Sequence, residues 1–179
     1  AQCFLIGMMM TFIMPFFTSG TIMFGILHFL GISMILFGLG QKLFDLLPSW
    51  VGIAASVLLF VLTMNVQLTY VSGILTTGYI GIPGLFQLHL PMQAYNVGVL
   101  FPLGLHDAYF ASSDYFPMLP WFFLFIAGSY FGIIAKDGRL PKFCYPTHIR
   151  WLATVGRYTI WIYVLHQPVL YLIFSLIFH

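Results

Sequence analysis

The residue that first suggests chemistry is a histidine inside the last apolar run of the chain. This run, residues 155–177, reads VGRYTIWIYVLHQPVLYLIFSLI. It is long enough to cross a bilayer, because about 20 residues at about 1.5 Å each span the hydrocarbon core. His166 lies near its middle, followed by Gln167 and Pro168. An ionisable side chain at that depth is costly to insert and is typical of substrate, ion or proton pathways. His166 is therefore the first candidate for a functional site.

Arg157 lies nine residues before His166 in the same run. In one continuous helix this separation corresponds to about 13.5 Å along the axis and about 180° around it. The two side chains would then lie on opposite faces and could not both contact one small group. The pattern predicts that Arg157 meets an anionic group at the membrane surface, while His166 works deeper, near the midplane.

Two further candidates are His28, within an apolar run, and Asp114, just before another. Each candidate also has a purely structural interpretation. The histidines could be neutral and hydrogen-bonded to neighbouring helices, and Arg157 could only anchor a helix end. Asp114 could only cap a helix whose dipole favours a negative charge there. The pattern alone leaves both interpretations open.

The composition identifies the class of protein in which these residues must be positioned. The chain is 61% hydrophobic and only 6% charged, with a mean hydropathy of +1.01, whereas soluble domains have about 25% charged residues. It is predicted to be a polytopic membrane protein. A net charge of +2 does not support nucleic-acid binding. Cys3 and Cys144 lack partners at metal-ligand spacing, so we predict no metal site and no disulfide.

The apolar runs predict an all-α, polytopic transmembrane bundle of about five spans. The Gly- and Pro-rich region 71–115 is predicted to hold short or re-entrant helices, such as 92–103, and no full span. Four glycines in the second run would permit close helix approach. The predicted spans are 2–17, 21–40, 50–70, 114–135 and 155–177, and the glycines are Gly25, Gly31, Gly38 and Gly40.

The positive charges orient this arrangement. Five of the six Lys and Arg residues lie in or beside the loop 136–154, and Lys42 lies in the loop 41–49. With alternating spans both loops share one face, which the positive-inside rule makes cytoplasmic. Region 71–115 has no Lys or Arg and is predicted to lie outside. Such a layout suggests a membrane enzyme or a transporter with access from both sides.

The chain opens inside an apolar run, without the basic region of a signal peptide. We therefore expect residues 1–179 to be a single integral membrane domain that forms the C-terminal part of a longer one.

Three sequence blocks resemble one family. FGILHFLGISMIL at 24–36, SSDYFPMLPWFFLFIAGSYFG at 112–132 and GRYTIWIYVLHQPVLYLIF at 156–174 are similar to the bacterial branch of the heparan-alpha-glucosaminide N-acetyltransferase catalytic-domain family. The blocks occur in the family's order, and 71–111 is the weakest match. The last block alone is shared more loosely with bacterial transmembrane sugar O-acyltransferases, which belong to the same class of chemistry.

This resemblance implies acyl transfer across a membrane, from cytosolic acetyl-CoA to an amino sugar or glycan on the far side. A histidine would act as general base on the acceptor or carry the acetyl group covalently, and the basic loop would receive the CoA phosphates. The residues implied are His166, His28 and Asp114 for catalysis, Arg157, Arg150 and Lys142 for acetyl-CoA, and Tyr115, Trp121 and Gln167 for the acceptor.

One departure from the family affects the assignment of the base. In its better-known animal members the proposed catalytic histidine lies upstream of the blocks matched here, so no motif assigns His28 or His166 as the base. Two other functions stay open. A transporter or lipid-handling protein would use His166 and Asp114 to bind a proton or head group, and a scaffold would use its polar residues only for helix packing.

Overall fold

The computed structural model describes residues 2–13, 23–71, 74–112, 114–146 and 149–177. The described chain is mostly helical. Its helices are α1 (Gln2–Ile13), α2 (Ile26–Leu39), α3 (Gln41–Phe44), α4 (Ser49–Thr63), α5 (Met118–Lys136), α6 (Arg150–Arg157) and α7 (Thr159–Ile177).

Each of the five predicted apolar runs contains a helix. Among the described residues, α5 and α7 are long and apolar enough to cross a membrane, while α1, α2 and α4 are apolar but shorter. The membrane class is thus supported by two candidate spans. The predicted span boundaries at 17 and 21 lie outside the described residues.

Helices α1 and α2 pack antiparallel around their glycines. A Cβ built on Gly31 would lie 2.7 Å from the backbone nitrogen of Phe4, and one on Gly7 would lie 3.1 Å from the backbone nitrogen of His28. These helices therefore approach more closely than any residue with a side chain would allow. The predicted close approach is confirmed at Gly31, whereas Gly38 faces open space.

Helices α4 and α5 form a second antiparallel pair. Gly52 of α4 lies against the ring of Tyr130, and Phe60 contacts Trp121, with ring centroids 5.7 Å apart. The Tyr130 hydroxyl donates to the Phe44 carbonyl at 2.7 Å, which ties α5 to α3. Lys42 of α3 and the last residue of α5, Lys136, therefore lie toward the same end of the helices.

The region after α4 differs from the expectation of an all-α fold. It holds two antiparallel hairpins, β1–β2 and β3–β4, and two short 3-10 helices at Met92–Ala94 and Gly98–Leu103. The turn between β3 and β4 contains Gly84 with φ +81°, a conformation that glycine adopts without strain. The strands are Thr69–Val71, Ile74–Thr76, Tyr79–Ile82 and Phe86–His89. Their threonine, valine, isoleucine and aromatic residues favour strands, which explains the difference from the predicted helices.

The last apolar run is not one continuous helix. Tyr158 has φ −100° and ψ 9°, and it separates α6 from α7. The Thr159 hydroxyl donates hydrogen bonds to the carbonyls of Val155 and Gly156, at 3.3 and 2.8 Å. Such local side-chain hydrogen bonds compete with a regular helix. The opposite-face relation predicted for Arg157 and His166 assumed an unbroken helix, so helix geometry does not support it across this break.

Candidate functional site

His28 lies in the first turn of α2 with only 4% of its surface exposed. Its Nδ1 accepts a hydrogen bond from the Gly25 backbone N–H at 3.4 Å, and its Nε2 lies 3.5 Å from the Thr11 hydroxyl. That hydroxyl uses its own hydrogen to donate to the Gly7 carbonyl. Toward His28 it can therefore only accept a hydrogen bond, which Nε2–H must donate. The network fits a neutral imidazole that carries its proton on Nε2 and has Nδ1 as the basic nitrogen.

Asp114 is brought to His28 by two hydrogen bonds that fasten the segment before α5 to the segment before α2. The Phe116 N–H donates to the Phe24 carbonyl at 2.9 Å, and the Met23 N–H donates to the Ser112 hydroxyl at 3.1 Å. Asp114 thereby lies within electrostatic range of His28. A carboxylate in this position can stabilise a positive charge that forms on the imidazole.

Tyr163 of α7 completes the cluster. Its hydroxyl donates a hydrogen bond to Asp114 Oδ2, and its ring packs against Met10 and Leu27. His28, Asp114 and Tyr163 together line a small cavity of about 10 Å³, room for roughly one water molecule. The base cluster, as we name these three residues, joins a proton acceptor to a carboxylate that can stabilise the resulting positive charge.

A larger cavity of about 390 Å³ adjoins the base cluster. Its lining is mainly apolar, from Ile26, Leu30 and Ile160, with Arg157 as the charged residue. Tyr163 and Leu27 line both cavities. We name this space the donor cavity. It extends from the Arg157 guanidinium to Tyr163 of the base cluster, and it has the size and lining of a small-molecule site.

The other predicted cations lie outside the cavity lining. Arg150 begins α6, seven residues before Arg157, and so lies within about 20° of it around the helix. Lys142 is exposed on a 3-10 turn. Arg150 shares a helix face with the cavity arginine, whereas Lys142 does not belong to that helix.

His166 lies exposed on α7, and its Nδ1 donates to the Tyr163 carbonyl. Within the described residues it contacts the Tyr163 ring, at 5.6 Å between centroids, and it does not line the cavity of the base cluster. The structure thus brings His28 and Asp114 together. His166 lies one turn of α7 after Tyr163 and outside the cavity of the base cluster.

The predicted acceptor residues are separated. The Tyr115 hydroxyl donates to the Phe101 carbonyl at 2.5 Å, and burial raises the pKa of Tyr115 well above its usual value. Trp121 lines a third cavity with Asn65 and Gln67. For Gln167 the structure describes only the helical backbone.

The sequence interpretation missed Tyr163 and Thr11. A tyrosine in the middle of an apolar run needs a partner for its hydroxyl, and that signal could have identified Tyr163. No corresponding signal marks Thr11, since a threonine can satisfy its hydroxyl within its own helix.

No group of three His, Cys, Asp or Glu side chains that could hold a metal ion occurs in the part of the chain that the structure describes. The base cluster contains two side chains of these types, the imidazole of His28 and the carboxylate of Asp114, beside the phenol of Tyr163.

Comparison with known proteins agrees with the three sequence blocks. The family model described as heparan-alpha-glucosaminide N-acetyltransferase, catalytic, matches residues 1–168. No curated protein and no solved structure matches the chain. The family is one of membrane acetyltransferases with acetyl-CoA as co-substrate. The predicted resemblance is confirmed at the level of the family, while the bacterial branch stays a prediction. With 168 of its 179 residues matched, the chain belongs to the heparan-alpha-glucosaminide N-acetyltransferase catalytic family.

Proposed function

We propose that residues 1–179 form one integral membrane domain that transfers an acetyl group from cytosolic acetyl-CoA to an amino sugar or glycan on the outer face. The observation that carries this proposal is the shared wall of the two cavities. Tyr163 and Leu27 line both the apolar donor cavity, which contains Arg157, and the small cavity beside His28 and Asp114. A thioester held at that wall would lie beside a group that can take a proton.

The donor cavity suits the chemistry of acetyl-CoA. Arg157 would pair with a CoA phosphate, since a guanidinium binds phosphate oxygens in bidentate fashion. Arg150, on the same face of α6, would serve a second phosphate. Ile26, Leu30 and Ile160 offer an apolar path for the pantetheine arm.

The base cluster supplies the proton transfer that acyl transfer requires. The acceptor amine attacks the thioester carbonyl, its C–N bond forms, and the C–S bond to CoA breaks. His28 Nδ1 takes the proton that the amine loses, and Asp114 stabilises the imidazolium. The proton then passes to the departing thiolate, so that CoA leaves as a thiol and the imidazole is neutral again.

The predicted sidedness gives each end of the domain a role. The cationic loops 41–49 and 136–154 would face the cytosol, where acetyl-CoA is found, and region 71–115 would face the acceptor. Asp114 lies in the last part of region 71–115, just before α5. The acceptor would therefore reach the base cluster from outside.

The two cysteines provide a direct test of the donor cavity. Cys3 lines it, whereas Cys144 is exposed on the loop after α5. In detergent-solubilised protein, saturating acetyl-CoA should slow alkylation of Cys3 by N-ethylmaleimide several-fold and leave Cys144 unchanged, as measured by mass spectrometry of each peptide. Arg157→Gln should remove the protection and weaken equilibrium binding of acetyl-CoA. Equal alkylation of Cys3 with and without acetyl-CoA, together with unchanged binding by the variant, would contradict the assignment.

A further inference from the structure

The cavity of the base cluster, at about 10 Å³, has room for roughly one water molecule. It is lined by the side chains of His28, Asp114 and Tyr163 and by those of Met10 and Leu27. Met10 and Leu27 are 7% and 5% exposed, so the apolar part of the lining is closed off from solvent. A molecule of the size of water fits this space, whereas a sugar ring is far too large for it.

The polar groups of the cavity can hold a water molecule by hydrogen bonds. Nδ1 of His28 accepts a long bond of 3.4 Å from the Gly25 N–H, which a closer donor can replace. The Asp114 carboxylate has about four acceptor positions, and the Tyr163 hydroxyl occupies one of them. The Tyr163 oxygen can also accept a hydrogen bond. A buried water molecule needs two to four polar partners, and these three side chains supply them.

The same space adjoins the donor cavity, because Tyr163 and Leu27 line both. In the proposed function the thioester of acetyl-CoA lies at this shared wall. Arg157 of the donor cavity carries only hydrogen-bond donors and cannot take a proton from water. A water molecule in the base cluster would therefore lie next to the thioester and next to a proton acceptor at once.

We propose that the base cluster also activates this water molecule, so that the protein hydrolyses acetyl-CoA to acetate and CoA when no acceptor is bound. The inference rests on the donor half of the proposed function, since it uses the same thioester and the same base. It adds a second activity, in which water takes the place of the amino sugar.

The hydrolytic step balances without any further reactant. The water oxygen attacks the thioester carbonyl, a C–O bond forms, and the C–S bond to CoA breaks. His28 Nδ1 takes the proton that the water loses, and Asp114 stabilises the imidazolium. The proton then passes to the departing thiolate, so CoA leaves as a thiol and the imidazole is neutral again. Acetic acid is released and ionises in solution.

The size of the cavity makes water and the acceptor alternatives to each other. With room for roughly one water molecule, it can receive the acceptor nitrogen only after the water has left. Acceptor binding should therefore suppress hydrolysis. Half of the suppression should occur at the KM of the acceptor for transfer, because one binding event causes both effects.

The test follows both reactions of the full chain in detergent, in water enriched in ¹⁸O. Without an acceptor, acetyl-CoA should give free CoA and acetate labelled with ¹⁸O, as measured by a thiol assay and mass spectrometry. Glucosamine at about ten times its KM should lower the labelled acetate about tenfold by mass action, while N-acetylglucosamine forms. His28→Gln should lower hydrolysis at least about 100-fold. His89→Gln, which alters an exposed histidine of β4, should leave it unchanged.

Protection of Cys3 from alkylation by acetyl-CoA shows that a variant is folded and binds the donor, because Cys3 lines the donor cavity. If His28→Gln loses this protection, Asp114→Asn takes its place and should lower hydrolysis and transfer by the same factor.

Hydrolysis and transfer can fail separately. If glucosamine is acetylated but no labelled acetate forms in its absence, the inference is wrong and the proposed function stands. If labelled acetate forms and depends on His28, but no amino sugar is acetylated, transfer fails and hydrolysis stands. Equal hydrolysis by His28→Gln and the parent protein, or labelled acetate that glucosamine does not suppress during its own acetylation, would also overturn the inference.

Discussion

At the scale of single residues, the environment of His28 determines what its imidazole can do. Its Nε2 proton is engaged by Thr11, which lies on a different helix, and its Nδ1 accepts only a long backbone bond. The ring is held between Phe4 and Phe24, at 5.8 and 6.0 Å. Nδ1 can take up a proton once the long bond from the Gly25 N–H is given up, while Nε2 keeps the ring oriented, as general-base catalysis needs.

Replacing this histidine tests the assignment. His28→Gln should lower kcat for acetyl transfer by at least about 100-fold, because a positioned general base contributes about 10²- to 10⁴-fold. Acetyl-CoA binding should be unchanged, since the donor cavity does not include His28. Steady-state kinetics with equilibrium binding measures both.

The matched control is His89→Gln, which alters an exposed histidine at the end of β4 and should leave kcat unchanged. His166→Gln decides between the two candidate histidines. A larger loss of kcat for His166→Gln than for His28→Gln would return the role of base to His166, as the sequence first suggested.

In the proposed mechanism, Tyr163 positions Asp114. Tyr163→Phe keeps the ring packing on Met10 and Leu27 but removes the hydrogen bond to the carboxylate. Because a hydrogen bond to a charged group is worth about 1.5–3 kcal/mol, kcat should fall roughly 10- to 100-fold with little change in the KM of acetyl-CoA.

A double-mutant cycle distinguishes positioning from mere stability. Asp114→Asn should lower kcat by a similar factor, and the double variant should be little worse than either single one, because both act through one contact. Tyr158→Phe, which alters an exposed tyrosine hydroxyl next to α7, should have no effect. Additive losses would show that the two residues act independently.

The sequence could identify part of this site. His28 and Asp114 stand out because polar residues are rare in and beside apolar runs. Their proximity could not be predicted, since it depends on hydrogen bonds between residues 23–24 and 112–116, which are about 90 positions apart. Tyr163 gave a weaker signal than His166, because a charged side chain in an apolar run costs more to insert than a phenol.

At the scale of the elements, close approach of α1 and α2 holds Gly7 and Thr11 against His28. Gly31→Ala tests this approach, because a Cβ there would lie 2.5–2.8 Å from the Cβ, backbone nitrogen and Cα of Phe4. The backbone cannot move aside without separating the helices, so the variant should lose about 1–3 kcal/mol of stability, the usual cost of overpacking. The measurement is thermal unfolding in detergent, with kcat as the second readout.

Gly38→Ala is the control within the same helix, since a Cβ there meets nothing within 4 Å. It should be neutral or slightly stabilising, because alanine is the better helix former. Equal unfolding temperatures for Gly31→Ala and the parent protein would show that the helices can separate without cost.

The elements were predictable to different degrees. Runs of apolar residues identified every helix of 12 residues or more in the described chain, although not its ends. The hairpins of residues 69–89 were missed because strands in an apolar sequence give no alternating pattern that distinguishes them from helices. The break at Tyr158 was missed because no proline or obvious loop marks it, and only the local hydrogen bonds of Thr159 accompany it.

At the scale of the whole molecule, the lysines of α3 and α5 and the base cluster lie toward opposite ends of the helices. Lys42 and Lys136 lie toward one end, while the hairpins, Asp114 and the first turn of α2 lie toward the other. The positive-inside rule predicts that the cationic end is cytosolic.

Labelling of single cysteines in whole cells tests this orientation. Cys144 lies on the exposed loop after α5, so a membrane-impermeant maleimide should label it only after the cells are permeabilised. Tyr109→Cys, made in a Cys144→Ser background, exchanges a side chain that is 94% exposed in the predicted outer region and should be labelled in intact cells. Because Cys3 is present in both proteins, its labelling is measured in the Cys144→Ser parent and subtracted. Labelling of Cys144 in intact cells would reverse the orientation, because the loop after α5 would then lie outside.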